Sequence, residues 1–170
     1  MGILSGNPQD EPMHYGEVFG TWTYLVTNYG CLITYQTFIN HAGDDDLKRL
    51  LEEGIQAIKS ENQQIEDLLK ANGVALPPSP PERPVANLED IPAGARFNDP
   101  EISAALAMDV AKGLVACSTI MGQSIREDIG AMFGQFHMNK ASLGVKVLKL
   151  NKEKGWLVPP PLHLNTPNQE

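Results

Sequence analysis

The residues able to do chemistry are few and scattered along the chain. A helical bundle that holds two irons needs a Glu from each of two helices and a Glu-x-x-His from each of the other two, because i and i+3 project from one face. The one Glu-x-x-His, Glu11 to His14, straddles the lead-in and the start of the first helix, and deeper in the helices the ENQQ at Glu61 and the EDIG at Glu127 both lack the histidine. The remaining metal candidates are Asp109, His137 and Glu61. Glu61 falls where the run Leu47, Leu51, Gly54, Ile58 expects an apolar side chain, and Asp109 falls between Leu106 and Gly113. Pairing the third and fourth helices around Gln123 sets Asp109 opposite Phe136 and His137, so that Asp109 and His137 meet. That is half a site for Fe, Mn or Zn, or a structural carboxylate bonded to imidazole or to Lys112. Glu61, about 25 Å down its helix against about 15 Å for Asp109, is expected to miss the pair by two turns. Glu17 and His41 sit near opposite ends of one helix and read as bundle-end residues.

No nucleophile is better placed. Ser103, Ser118 and Ser124 lie in or beside helices with no strand-turn-helix elbow, and Cys31 and Cys117 have no base near them in sequence. The two cysteines lack CxxC spacing and read as small buried hydrophobes of a reducing compartment. No catalytic and no cofactor-binding residue is assigned. A formal charge of -8 and the absence of a basic stripe argue against nucleic acid. The opening residues show no secretory signal, so a cytoplasmic location is expected.

These residues must be positioned by four helices. Val18 to Gly43 contains no Lys, Arg, Asp or Glu, although one residue in five of the chain is charged. Trp22, Val26, Tyr29 and Ile33 recur at helical steps, with Leu25 and Leu32 widening the same face and Thr21, Thr23, Thr27, Asn28 and Thr34 opposite. An uncharged polar face implies that both sides are covered, the second by a neighbouring helix or another subunit. Five Thr and two Asn make the run too polar for a membrane span. The first helix is expected over Met13 to Ala42, with Gly43 as a left-handed cap. The second, amphipathic, carries Leu47, Leu50, Leu51, Ile55, Ile58, Ile65, Leu68 and Leu69 inward and stops at Asn72-Gly73. Prolines then cluster between Pro77 and Pro92 in a crossover over about 74–98. Asp99-Pro100-Glu101 starts the third helix, with Asp99 as N-cap. Ser124-Ile-Arg-Glu127 matches a capping box opening the fourth, which runs to about Lys154. Trp156 and Leu157 begin an extended tail that should pack back over a bundle end or onto a partner.

Two helical hairpins joined by a connection of about 25 residues, long enough to travel the bundle's length of roughly 40 Å, give an all-α, ferritin-like, up-down-down-up four-helix bundle. It is one domain over 13–164, after a loose lead-in (1–12) and before a disordered tail (165–170). Trp22, Tyr29, Tyr35 and Trp156 are the interface candidates.

The order GxxFxxW, DDDLKRLLEEG, FNDPEI, SIREDIGAMF and KEKGWLVPPP over roughly residues 13 to 162 resembles the bacterial domain-of-unknown-function family 3231, whose members are often labelled spore coat proteins and look related to spore coat protein F. The resemblance implies an all-α bundle from an endospore-forming bacterium and a spore coat location, with no known activity, catalytic residue or cofactor. The leading expectation is a non-enzymatic, self-associating bundle, a homodimer built on the first helix with the third as a further candidate face, and with other spore coat proteins as further partners. Two alternatives stand beside it. One is a metal-binding protein or oxidoreductase with a degenerate centre; the other is a bundle with a cavity for a small apolar ligand, left by Gly and Ala on the third helix.

Overall fold

The first three long helices begin where a side chain takes backbone N–H groups that a first turn leaves free. The computed structural model describes residue 7 and residues 10–163. The rest of the lead-in and the tail from residue 165 lie outside the described residues. Helix α1 is Tyr15–His41, α2 is Asp45–Ala71, α3 is Asp99–Gln123 and α4 is Glu127–Glu153, with no strand among the described residues.

The caps explain the boundaries and correct three of the expected ones. At α1, His14 accepts from Gly16 N–H while Glu17 reaches back to His14 N–H, a reciprocal box. At α2, Asp44 accepts from Asp46 and Leu47 at 2.9 and 3.0 Å. Gly43 before it is not left-handed; among the described residues only Gly73 and Gly155 have positive φ. Its N–H instead donates to Asp99 Oδ1 at 2.8 Å, fastening the first hairpin to the start of α3. At α3 the cap is Asn98, one residue before the expected Asp99, boxed with Glu101. The Ser124 capping box does not form: Ser124 ends α3, its hydroxyl donating to Ile120 C=O, and α4 is entered through Arg126. The N–H groups of Ile125 and Arg126 donate to Glu17 Oε1 of α1 at 2.9 and 3.0 Å. One buried carboxylate thus serves two helix starts.

The crossover decides the topology. Trp22 Nε1 donates to Ala75 C=O, Gln36 accepts from Arg83 N–H, Asn40 bonds Pro84 C=O and Ala86 N–H, and His41 Nδ1 accepts from Phe97 N–H. The order ascends on both strands of this pairing, so the segment runs lengthwise beside α1. Prolines donate nothing and the segment forms no ladder, so the side-chain amides of α1 meet its backbone groups. α3 therefore starts at the end where α2 started, which is the up-down-down-up order.

The core falls into two clusters. Phe38, Leu47, Leu51, Ile58, Ile102, Leu106, Val147 and Leu150 fill one end, with Trp156 folded back against them. Leu25, Ile65, Leu69, Cys117, Ile129, Phe133 and Phe136 fill the other. The inner face of α1 agrees with the expected one only in part: Leu25 and Tyr29 are buried, but Trp22 and Val26 are 36% and 40% exposed, and Thr21 and Asn28, expected on the opposite face, point inward. Thr21 is tolerated inside because its hydroxyl donates to Glu17 C=O at 2.7 Å.

Candidate functional site: a polar layer and chamber between the hairpins

All four helices meet in a polar layer between the two apolar clusters. Glu61 of α2, 2% exposed, receives Lys140 Nζ of α4 on both oxygens at 2.9 Å each. The Tyr24 hydroxyl and the Asn28 amide of α1 donate to its Oε2 at 3.0 and 3.1 Å. Cys117 Sγ of α3 lies 3.4 Å from the Tyr24 hydroxyl. A buried carboxylate with four contacts of this kind is well compensated. Burial, then Glu61 and Cys117, push the Tyr24 phenol far above the ordinary tyrosine range, and burial raises the Cys117 thiol. Neither is poised to act as a base or nucleophile.

Lys140 holds this position because Gly113 makes room for it. A Cβ on Gly113 would fall 2.7 Å from Lys140 Cδ. Beside the layer lies a cavity of about 570 Å³ lined by residues of all four helices. Its walls include Cys31, Tyr35, Ile58, Val110, Ala116 and Leu143. The helices of each hairpin pack closely, and the two hairpins touch each other less.

The expected metal candidates are not brought together. Val110 faces Gly144, Gly113 faces Lys140, and Ser103 donates to Asn151 Oδ1 at 2.6 Å. In this register Asp109 lies level with Val145, about two turns from His137. The pairing around Gln123 fails because the turn passes through Ser124, Ile125 and Arg126 before α4 begins. Asp109 lines the chamber and pairs with Lys112 at 3.7 Å, whereas His137 lines a shallow depression beside Leu114, Val115 and Ser118. Glu61 lines the same chamber as Asp109, and no hydrogen bond or ion pair links the two. Among the described residues no group of three or more His, Cys, Asp or Glu side chains comes together.

Two interface candidates are buried in their own chain. Tyr29 is 6% exposed and donates to Glu66, and Tyr35 is 4% exposed on the chamber wall. Trp22 is partly covered by the crossover and Trp156 by the core. The residues that do face outward, Phe19, Met108, Val115 and Met121, were not singled out. Arg126 was also missed. It is 2% exposed and clasps the bundle end, donating to Asp128, to Glu11 C=O and to Asn72 Oδ1. Charged residues in a turn give no sequence signal of such burial, but Lys140 gave one. It occupies the slot between Phe136 and Leu143 on the inner stripe of α4, as Glu61 does on α2.

The fold and site define an all-α four-helix bundle whose central cation is a lysine of the chain itself. The chain belongs to the family described as protein of unknown function DUF3231, whose model matches residues 1–168. It is 62% identical over 164 residues, 96% of each chain, to the uncharacterized protein YvdQ of Bacillus subtilis (strain 168). It is also similar to a crystal structure of a putative spore coat protein from Bacillus halodurans C-125, with 68% identity and a TM-score of 0.92, covering 94% of this chain and 100% of that one.

Proposed function

We propose that the protein is a structural, self-associating bundle of the spore coat, without a catalytic role, whose contact surface is the outward side of α1 and α3. The observation that supports this is an apolar surface with almost no charge. The segment Ala93–Gln123, which ends with α3, is long and apolar enough by length and composition to cross a membrane, yet only 22% of its most apolar stretch is buried. Met108, Val115 and Met121 of α3 and Phe19 and Val26 of α1 face outward. From Val18 to His41 and from Ile102 to Gln123 the only charged residues are Asp109 and Lys112. A second copy suits this surface better than a bilayer, because a chain of net charge -8 is repelled by anionic lipid.

Light scattering coupled to size exclusion at micromolar concentration tests the reading. The expected mass is twice the 18.6 kDa of one chain, falling to one chain in Val115→Glu. A single-chain mass for the unmodified protein overturns self-association. A fluorescent fusion that stays diffuse through sporulation overturns the coat assignment. The metal-centre reading loses the Asp109–His137 contact on which it stood. Elemental analysis of protein purified without chelator checks it directly, since stoichiometric Fe, Mn or Zn would restore it.

A further inference from the structure

The chamber contains a donor that the protein does not satisfy. Tyr35 is 4% exposed and lines the cavity, and its hydroxyl makes no hydrogen bond among the described residues. The hydroxyl is open to the cavity rather than sealed in the core, so its acceptor has to come from whatever fills the cavity. The cavity's size, about 570 Å³, falls within the range of small-molecule sites, and its walls are mainly apolar. The charges on it are all paired: Glu61 with Lys140, Asp109 with Lys112, and Glu53 with Lys146, which lies outside the lining. An added anion would meet Glu61 and Asp109, and an added cation would meet Lys140 and Lys112. Neither finds an unpaired counter-charge, so a charged ligand would be desolvated without compensation.

From this geometry we infer that the chamber is a binding site for an uncharged, mostly apolar molecule carrying one oxygen acceptor, a hydroxyl or carbonyl, that receives the Tyr35 hydroxyl. Burial first, and then Asp109, Cys31 and Glu61, push the ionisation of Tyr35 well above the ordinary tyrosine range, so the hydroxyl remains a donor. The chamber is formed by the helices of one chain, but Phe19 on its rim also belongs to the proposed contact surface, so probe binding is measured in Val115→Glu as well, which separates the two readings.

The test uses the neutral fluorophore N-phenyl-1-naphthylamine as probe, with 1-decanol, decanoate and decyltrimethylammonium as competitors. The expected result is one probe per chain, displaced by decanol and not by either ion at equal concentration. Tyr35→Phe keeps the ring that packs against Gly54 and removes only the hydroxyl. It should weaken decanol by roughly three- to tenfold and leave the probe, which offers no oxygen, unchanged. Ala116→Leu fills the wall and should reduce both. Should that variant not fold, the Tyr35→Phe comparison decides alone. Absence of stoichiometric probe binding, equal displacement by decanoate, or decanol binding unaffected by Tyr35→Phe each overturns the inference.

Discussion

Replacing Glu61 by Leu tests how the polar layer contributes to stability. The substitution removes the acceptor of three donors at once: Lys140 Nζ, the Tyr24 hydroxyl and the Asn28 amide. The Lys140 side chain is 14% exposed, so its ammonium is left largely buried without a counter-charge. Breaking such a pair from one side costs about 3–5 kcal/mol. For a chain of this size that is a fall in melting temperature of roughly 6–20 °C. The double variant Glu61→Leu with Lys140→Met removes the orphaned charge as well. Tyr24 can still donate to Cys117, and the Asn28 amide remains unpaired, which costs about 1–3 kcal/mol. The double variant should therefore be more stable than Glu61→Leu alone and recover at least half of its loss. Urea unfolding with a constant m-value measures both. If Glu61→Leu is neutral, or the double variant is as unstable as the single, the pair is not what ties the layer together.

Three further outcomes follow from the geometry. Gly54→Ala should destabilise by about 1–2 kcal/mol despite the better helix former, because its Cβ would lie 2.9 Å from the Tyr35 ring, whereas Gly30→Ala, with nothing within 4 Å, should stabilise by about 0.5–1 kcal/mol; equal melting shifts refute this. The Arg126 guanidinium holds the Asp128 carboxyl below its ordinary value of 3.8, so the unfolded chain takes up that proton first. The pair's contribution is complete above that value and is lost as pH falls through the lower folded value; urea midpoints taken down to about pH 3 should fall less steeply in Asp128→Asn. Cys117, fully buried with its thiol raised, should resist iodoacetamide until unfolding, while half-buried Cys31 on the chamber wall reacts first; equal labelling by mass spectrometry contradicts the burial.

The hairpins and the crossover were legible because their signals are local. Asn72-Gly73 stops α2 in αL geometry at Gly73, and the prolines keep the connection extended apart from short 3-10 turns at Leu88–Asp90 and Ala93–Ala95. The apolar stripe of α2 was right at Leu47, Leu51, Ile55, Ile58, Ile65 and Leu69, while Leu50 and Leu68 are only partly buried, and its break at Glu61 marked the polar layer. What could not be read locally was rotation and register. α1 carries no charge to show which side faces water, so the buried Asn28 and exposed Trp22 were exchanged; only Glu61 across the core explains why an amide points inward. The α3–α4 register depends on how many residues the turn consumes. An error there of about two turns created the Asp109–His137 contact and hid Gly113 opposite Lys140.

The crossover has a mechanical consequence. Because it carries the chain back along α1, the start of α1 lies beside the α3–α4 turn, where His14 reaches Gln123 C=O, while the end of α4 lies beside Asp44, which Lys154 grips at 2.7 Å. Entry and exit are thus separated by about 40 Å of helix. A load applied between them acts along the helix axes, shearing both apolar clusters and the layer between them together. Such a bundle resists tension as a rivet does, with no edge from which a helix can be peeled first.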